Sequence, residues 1–529
     1  MMASISLSVP QPARRSFGIP YMYQAVLVAM LGAFMEMLDT TVVNIALPKI
    51  ITVFNAPVDA AGFVLTGYMI ALAVVMPATG YFSDRFGVKR LYIFSMLMFT
   101  LGSLLCALAW SLDSLVLFRV IQGLGGGMLS PLGMTLVFQS VPAEKRGIAM
   151  SLVGLPMLVA PVLGPTLGGY LVQYVNWRFI FTMNLPVGAV AIVAGLLILR
   201  ESERIPNQRL DVRGFLLSAA GFAALFYGLD KATDWGWGDP RSVLLLGGGL
   251  FLVGLWAVNE LTVAQPLIEL RVLKDRVYAI ATGVTFVVLL GLYASMLLIP
   301  LFMQNFKGLG AMQTGLIMFP QAIGSGLAMP ISGWLYDRVG PRPPIIAGLL
   351  LLAFASWQLT RLSLATPDST TRIILILGGV ALGLVIMPAM TASMSTLPQH
   401  LIARGSALTN VLRQLFSSLA TALFLTLLTT RTNLHLAMLS QTVTPDLPNV
   451  RVWLAEVQLY LVHQGMAAAQ AKTYSVLALY QQVALKASIM SFDDCFVVAM
   501  VICLLGAIPA FFLHIKPGAR PAGEALVLE

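Results

Sequence analysis

A succession of long apolar segments runs along almost the whole chain, and this feature constrains the fold more than any other. A helix needs about 20 mostly apolar residues to cross the hydrocarbon core of a bilayer. The segments of this chain reach that length, and charged residues make up only 10% of its 529 residues. We therefore predict an all-α membrane protein that crosses the bilayer many times.

Fourteen segments have the length and composition of a membrane-spanning helix. The predicted spans are residues 22–46, 59–81, 91–110, 114–138, 148–171, 178–199, 212–230, 242–261, 277–303, 312–335, 345–363, 371–395, 405–430 and 488–514. An even number of spans places both termini on the same side of the membrane.

The distribution of basic residues predicts which side that is. The chain has 32 Lys and Arg residues and a net charge of +9. With the N-terminus inside, most of these residues fall in inner segments, as the positive-inside rule requires. We expect an inner (cytoplasmic) membrane protein with cytoplasmic termini. Because the basic residues lie in short gaps between apolar runs, the charge does not indicate nucleic-acid binding.

One loop sequence occurs twice. Residues 80–90 read GYFSDRFGVKR and residues 333–342 read GWLYDRVGPR. Both contain G-x-x-x-D-R-x-G followed by a basic residue, and each follows the second span of a six-span half. Duplicated halves are typical of secondary transporters, whose substrate site lies between the halves near the midplane.

The repeat predicts the organisation of the chain. The segments are a cytoplasmic N-terminal segment (1–21), a six-helix bundle (22–200), two extra helices with their linkers (201–276), a second six-helix bundle (277–514) and a cytoplasmic tail (515–529). The second bundle includes a long outer loop, residues 431–487, with amphipathic stretches at 452–462 and 467–485. This loop is either a cap over the transporter or a docking site for a periplasmic adaptor.

Acidic residues inside a span are costly and indicate function. Glu36 and Asp39 are three residues apart in the first span, so they share one face of the helix. Removal from water disfavours a charged carboxylate, so we expect at least one of them to take up and release a proton. The alternative is that either acid is a fixed hydrogen-bonding group.

Arg119 lies about two turns into the fourth span, at a depth that matches Asp39. A buried guanidinium requires a partner, so we predict an Arg119–Asp39 pair. That pair either opens when the acid is protonated, which would make it a conformational switch, or remains closed and contributes stability. We assign Glu36, Asp39 and Arg119 to proton coupling.

Other polar residues within the spans are candidates for the substrate cavity: Asn44, Gln122, Asn410 and Arg413. Arg413 either binds anionic groups or extends toward the membrane surface. The chain has no convincing nucleophile constellation, metal-ligand spacing or phosphate-binding loop. We therefore predict that it is not an enzyme and uses no metal, cofactor or ATP.

Several motifs resemble those of one family. The repeated loop resembles the signature loop of the major facilitator superfamily. Residues 38–48 (LDTTVVNIALP), 119–127 (RVIQGLGGG) and 154–169 (ending GPTLGG) resemble the first-, fourth- and fifth-helix motifs of its fourteen-helix drug:proton antiporters of the EmrB/QacA type. WRFIF at 177–181, NLP at 184–186 and FDD at 492–494 continue the resemblance over nearly the whole chain.

The resemblance implies a major facilitator fold in which two six-helix bundles flank two extra central helices. It also implies proton-coupled antiport that exports small lipophilic or cationic toxic compounds by alternating access. The alternative is an uptake symporter or uniporter of the same fold for a small metabolite. The implied partners are small-molecule substrates, protons and the lipid bilayer. The transporter either works alone or binds a periplasmic membrane-fusion adaptor that leads to an outer-membrane channel. Nucleic acid is not an expected partner.

Two sets of residues receive roles from the resemblance. The repeated loops would form a conformational latch that stabilises one access state, with Gly80, Asp84, Arg85, Gly87, Lys89, Arg90, Asp337, Arg338 and Gly340. The fifth span would be a bent gating helix, with Gly154, Pro161, Gly164, Pro165, Gly168 and Gly169. Proline kinks a helix, and glycine lets a neighbouring helix approach closely.

Overall fold

The computed structural model of the chain describes residues 20–202, 204, 209–444 and 447–513. Within these ranges, the side chains of residues 58–59, 157–158, 161–162, 165–166, 311 and 399 are not described. The predicted N-terminal segment and C-terminal tail lie almost wholly outside the described residues. The described part is helical and contains no β-strand.

The helices follow one another with short connections. The first are α1 (Tyr21–Phe54), α2 (Val58–Val75), α3 (Thr79–Phe86), α4 (Val88–Ala107), α5 (Leu112–Ser140), α6 (Arg146–Tyr170), α7 (Phe179–Thr182) and α8 (Asn184–Ile198). Next come α9 (Val212–Trp235) and α10 (Pro240–Thr262). The last are α11 (Arg276–Asn305), α12 (Ala311–Val339), α13 (Arg342–Leu359), α14 (Asp368–Ser395), α15 (Ile402–Thr442), α16 (Pro448–His463) and α17 (Ala468–Ala510).

Thirteen segments in the described part of the chain are long and apolar enough to cross a membrane. They coincide with the predicted spans except the fifth, where α6 lies. The second span consists of α2 and α3, joined by a 3-10 turn at Met76–Ala78 that contains Pro77. The chain is therefore a multi-pass membrane protein.

The helices of the last two spans extend beyond the predicted spans. The expected outer loop 431–487 is largely helical, because α15 continues to Thr442 and α17 begins at Ala468, with α16 between them. The apolar run indicates where a helix enters the bilayer but not where the helix ends. Residues 431–442 and 468–487 contain no Gly or Pro, so nothing local stops either helix at the membrane surface.

Contacts sort the helices into two groups. In the first, α1 packs against α5, α6 and α8, while α4 packs against α5 and α8. In the second, α12 and α13 pack against α14, and α11, α13 and α15 pack against α17. The extra pair lies beside both groups, since α9 contacts α10, α2 and α15.

We call the end of the bundle that contains residues 84–90 and 337–342 the basic end. The two groups meet there through α6 against α12 and through α3 and α5 against α15. At Gly147 in the first turn of α6, an added Cβ would lie 2.5 Å from the carbonyl oxygen of Gly333 in α12. The second half of α6 packs on α1 instead, where Gly164 approaches Thr41. α6 and α12 therefore come into very close contact at the basic end.

Candidate functional site

Both acidic residues of α1 face the protein interior. The exposed fractions are 4% for Glu36 and 1% for Asp39. The helix is apolar around them, and its buried positions recur at the three- and four-residue spacing that one helix face requires. The two carboxyl groups therefore lie inside the bundle and not against lipid.

Asp39 accepts hydrogen bonds at both carboxylate oxygens. Its Oδ2 lies 2.5 Å from Nη1 of Arg119. Its Oδ1 accepts from Nε2 of Gln122 at 2.9 Å and from Nδ2 of Asn184 at 2.9 Å. Asn184 also donates to the hydroxyl of Ser103 at 3.0 Å. A buried charge is tolerated when it is paired and hydrogen-bonded, and this network meets both conditions for the ionised Asp39.

Arg119 is held from three directions. Besides Asp39, its Nη1 donates to Oε1 of Gln122 at 2.8 Å, and its Nε donates to the carbonyl oxygen of Val64 at 3.1 Å. The guanidinium carbon lies 3.9 Å from the centroid of the Tyr68 ring, within the range of a cation–π contact. The side chain is fully buried. The predicted contact between Arg119 and Asp39 is present, and it belongs to a network that joins α1, α2, α5 and α8.

Glu36 differs from Asp39 in its hydrogen bonding. In the part of the chain that the structure describes, its Oε2 is buried and has no hydrogen-bond partner. Arg413 of α15, in the other group of helices, interacts electrostatically with Glu36. Arg413 donates from Nη2 to Oδ1 of Asn410 at 2.9 Å and to the hydroxyl of Ser130 at 3.2 Å. Glu36 therefore has a free acceptor at the interface of the two groups.

The four cavity candidates lie in different surroundings. Gln122 belongs to the Asp39 network, and Asn410 and Arg413 contact each other near Glu36. Asn44 is exposed, about two turns beyond Glu36 along α1. Among the described hydrogen bonds, none joins Asn44 to the Asp39 network.

The first copy of the repeated loop contacts the second group of helices. Asp84 Oδ2 lies 3.3 Å from Nη2 of Arg404, at the start of α15, and both side chains are largely buried. Gly80 is required for this approach, because an added Cβ would lie 2.9 Å from Cγ of Arg404. Arg85 is exposed, with its guanidinium carbon 5.9 Å from the ring centroid of Phe86. Asp84 therefore contacts the second group of helices.

The other residues of this loop bind the segment that follows α8. Lys89 donates from Nζ to the carbonyl oxygens of Leu196 and Leu199 at 2.8 and 2.7 Å, at the C-terminal end of α8, where carbonyl groups take partners from outside the helix. Arg90 Nε lies 3.2 Å from Oε2 of Glu201. Gly87 has φ +90°, a conformation that favours glycine.

The second copy uses its aspartate differently. Asp337 accepts from the backbone N–H groups of Gly147 and Ile148 at 3.0 and 3.2 Å. These groups lie in the first turn of α6, where a carboxylate is favoured by the unpaired N–H groups and the helix dipole. Gly340 ends α12 with φ +85°. Arg338 is exposed and lies over the ring of Trp334 at 4.3 Å.

The predicted gating helix, α6, packs through its glycines against both groups. A Cβ added at Gly154 would lie 2.5 Å from Cε of Met387 in α14. At Gly164 it would lie 2.6 Å from Cβ of Thr41 in α1, so α1 and α6 touch almost backbone to backbone beside Asp39.

The remaining α6 positions contribute less to close packing. A Cβ added at Gly168 would lie 3.0 Å from Cγ1 of Val42, whereas one added at Gly169 would meet nothing within 4 Å. Pro161 and Pro165 lie in α6, but their side chains are outside the described part of the structure.

Two residues of these sites were missed by sequence reasoning. Asn184 lies in the NLP motif at 184–186, but nothing in that motif indicates that it donates to Asp39. Arg404 is one of many basic residues in inner segments, so its pairing with Asp84 has no sequence signal. Both contacts join residues far apart in the chain, separated by 145 and 320 positions.

Comparisons with known proteins identify the family. The family model of the Major Facilitator Superfamily matches residues 29–421. The chain is 34% identical over 489 residues to the Bacillus subtilis uncharacterized MFS-type transporter YhcA, covering 92% of each chain. It is 37% identical over 412 residues to a Mycobacterium tuberculosis protein named multidrug resistance protein B homolog, covering 77% of this chain and 76% of that protein.

A solved structure supports the same fold. The proton:xylose symporter XylE, bound to 6-bromo-6-deoxy-D-glucose, superposes with a TM-score of 0.60 at 15% sequence identity. The superposition covers 94% of this chain and 97% of XylE. At this identity the likeness concerns the fold alone. Together with the family match and the relatives, it shows that this chain is a transporter of the major facilitator superfamily and not an enzyme.

Proposed function

We propose that the protein is a proton-driven antiporter that exports small lipophilic or cationic toxic compounds across the inner membrane. The observation that carries this proposal is Glu36, a buried carboxyl group with a free oxygen at the interface of the two helix groups. A relative at 37% identity is named a multidrug resistance protein homolog, which supports drug efflux as the direction and purpose of transport.

The two acids of α1 have separate roles in this proposal. Asp39 has donors at both oxygens and is paired with Arg119, so it anchors the first helix group. Glu36 has an oxygen free to hold a proton or to accept a hydrogen bond from a bound cationic group. Exchange of the proton for substrate at Glu36 would couple proton entry to substrate export. Arg413 would stabilise the Glu36 carboxylate after the proton has left and before the substrate binds.

The contacts at the basic end support alternating access. Asp84–Arg404 and Asp337 at the start of α6 each join the two groups. These contacts would form the conformational latch that holds the basic end closed while the opposite end opens. Each proton that returns inward contributes about 2.3 kcal/mol per 100 mV of membrane potential, which drives the cycle.

We propose the following arrangement in the membrane. Fourteen spans form two six-helix bundles, 22–200 and 277–514, flanking the extra pair in 201–276. The basic end faces the cytoplasm, because the repeated loops carry the strongest cluster of Lys and Arg, and both termini lie on that side.

The helical outer segment, residues 431–487, is the proposed docking site for a periplasmic adaptor that leads to an outer-membrane channel. Its α16 has no buried residue, and Leu459 and Tyr460 are about 60% exposed. Apolar side chains exposed on a helical protrusion are typical of a surface that binds a partner.

An uptake symporter is the second candidate, because XylE shares the fold and is named a proton:xylose symporter. Transport in proteoliposomes separates the two. With an acidic lumen and ethidium outside, an antiporter accumulates ethidium in exchange for exiting protons. A symporter does not concentrate the dye against the proton flow.

Carboxyl variants then test the coupling residue. Glu36→Gln removes the exchangeable proton and should abolish gradient-driven accumulation of ethidium. The matched control is Glu260→Gln, because Glu260 is also fully buried but lies in α10, bonded to Trp256 and to the backbone of Ile268. Glu260→Gln should retain accumulation. Full accumulation by Glu36→Gln would disprove the assignment.

A further inference from the structure

A small cavity lies between the two helix groups. Ala33, one turn from Glu36 on α1, lines it together with Ser130 of α5 and Asn410 of α15. The cavity offers about 10 Å³ to the centre of a water-sized sphere, close to the lower limit for one water molecule. A single water could therefore occupy the space between Glu36 and the α5–α15 contact.

On the α15 side the cavity is lined by Asn410, whose polar contacts continue toward the basic end. Arg413 binds Ser130 and Asn410, and Asn410 donates from Nδ2 to the carbonyl oxygen of Ser406 at 2.9 Å. Asn410, Ser406 and Ala403 are spaced by four and three residues, so they share one face of α15.

A larger pocket lies beyond Ser406 at the basic end. It has a volume of about 680 Å³ and is lined mainly by polar residues. On α5 it is bordered by Leu136, Gln139 and Ser140, and on α15 by Ala403, with His400 just before that helix. Seven residues separate Asn410 from Ala403, which is about 10 Å along a helix. The small cavity and the large pocket are therefore close, on the same pair of helices.

Ser406 lies between Asn410 and Ala403 on α15 and contacts α5. Its hydroxyl donates to the carbonyl oxygen of Pro131 in α5 at 3.0 Å and lies 3.1 Å from the sulfur of Met134. Ser406 is fully buried. Met134 lines the small cavity and Leu136 lines the large pocket, so the contact of Ser406 with α5 lies at the boundary of the two.

We infer that protons leave Glu36 toward the cytoplasm along the α5–α15 contact, and that Ser406 seals this route while the basic end is closed. This inference rests on the proposed function. The route passes the small cavity, Ser130 and Asn410, and ends in the pocket with Asp84 and His400. Arg413 is the charged group that faces its start. Separation of α5 from α15 breaks the Ser406–Pro131 bond and joins the two spaces.

The seal prevents a proton leak. When the opposite end is open, Glu36 takes up protons from outside, so a continuous water path to the cytoplasm would dissipate the gradient without moving substrate. Ser406→Gly removes a hydroxymethyl group and frees space of the order of one water molecule, roughly 30 Å³. This variant should therefore conduct protons in the absence of substrate.

The test measures the decay of an imposed pH gradient in proteoliposomes that contain pyranine, with the membrane potential clamped by valinomycin and potassium. Ser406→Gly should accelerate the decay several-fold over the wild type. The matched control is Ser417→Gly. Ser417 is a second buried serine of α15, and among the described hydrogen bonds its hydroxyl donates within its own helix, to the carbonyl oxygen of Gln414. This variant carries the same helix penalty and should not leak.

A second substitution identifies the route. Glu36→Gln combined with Ser406→Gly should abolish the leak, as should Asn410→Leu combined with Ser406→Gly. A leak that persists in both combinations, or a Ser406→Gly protein that holds the gradient as the wild type does, overturns the inference. Ethidium accumulation by the wild type is measured in the same vesicles. Its absence contradicts the proposed function, whereas its presence with a tight Ser406→Gly protein contradicts only the seal.

Discussion

The Asp39–Arg119 pair gives a prediction whose magnitude follows from its burial. Asp39→Asn removes the negative charge and leaves Arg119, which is fully buried, without an ionic partner. Breaking a buried pair in this way costs about 3–5 kcal/mol of unfolding free energy, because the remaining charge is neither solvated nor compensated. We expect a loss of this size for the single variant.

Removing both charges should recover most of that loss. Replacement of a buried ion pair by neutral groups of similar volume is often close to neutral for stability. Arg119→Met keeps the length of the side chain and eliminates the guanidinium. The double variant Asp39→Asn/Arg119→Met should therefore be more stable than Asp39→Asn alone, with a coupling free energy of about 3 kcal/mol.

The assay is unfolding of the purified protein in mixed micelles with a rising fraction of SDS, for the wild type, both single variants and the double variant. Ethidium-dependent proton movement is measured on the same four proteins. If the pair is only an anchor, the double variant regains transport along with stability. If the double variant loses as much unfolding free energy as the two single variants together, the pairing argument is refuted. If the double variant regains stability but not coupled transport, Asp39 takes part in proton transfer and is not only an anchor.

Three other predictions concern the latch and the close helix contacts. Asp84→Asn removes a charged hydrogen bond worth about 1.5–3 kcal/mol and should therefore favour opening of the basic end. In a Ser140→Cys background, the introduced thiol should then react faster with maleimide. Gly87→Ala places a side chain at φ +90° and should cost about 1–3 kcal/mol, measured by SDS unfolding. Gly164→Ala forces α6 away from α1 and should impair ethidium transport, whereas Gly169→Ala, with open space around it, should be tolerated.

The positions of the apolar helices were the part most open to prediction from sequence. Crossing a bilayer requires long apolar runs, and these predict thirteen of the segments that the structure identifies. Helix ends were less predictable beyond the membrane. Residues 431–442 and 468–487 are polar enough to leave the bilayer and still lack a residue that stops a helix. Composition therefore indicates where the membrane ends but not where α15 and α17 end.

Only the ionisable residues of the candidate site could be predicted from sequence, because a charge inside a membrane span is energetically costly. Glu36, Asp39 and Arg119 are conspicuous because ionisable residues are rare in spans, and matching depth indicated the Arg119–Asp39 contact. Depth does not reveal hydrogen bonding by ordinary polar residues. Asn184 completes the Asp39 network from α8, and this depends on helix packing. The contrast between a saturated Asp39 and a Glu36 with a free oxygen is likewise a property of the fold.

Proton release on substrate binding tests the central claim most directly. Purified protein in weakly buffered detergent solution is mixed with ethidium, and the pH change is recorded with a soluble indicator. We predict that the wild type releases protons on binding, that Glu260→Gln does the same, and that Glu36→Gln binds ethidium without releasing any. Equal release from Glu36→Gln and the wild type would contradict exchange at Glu36.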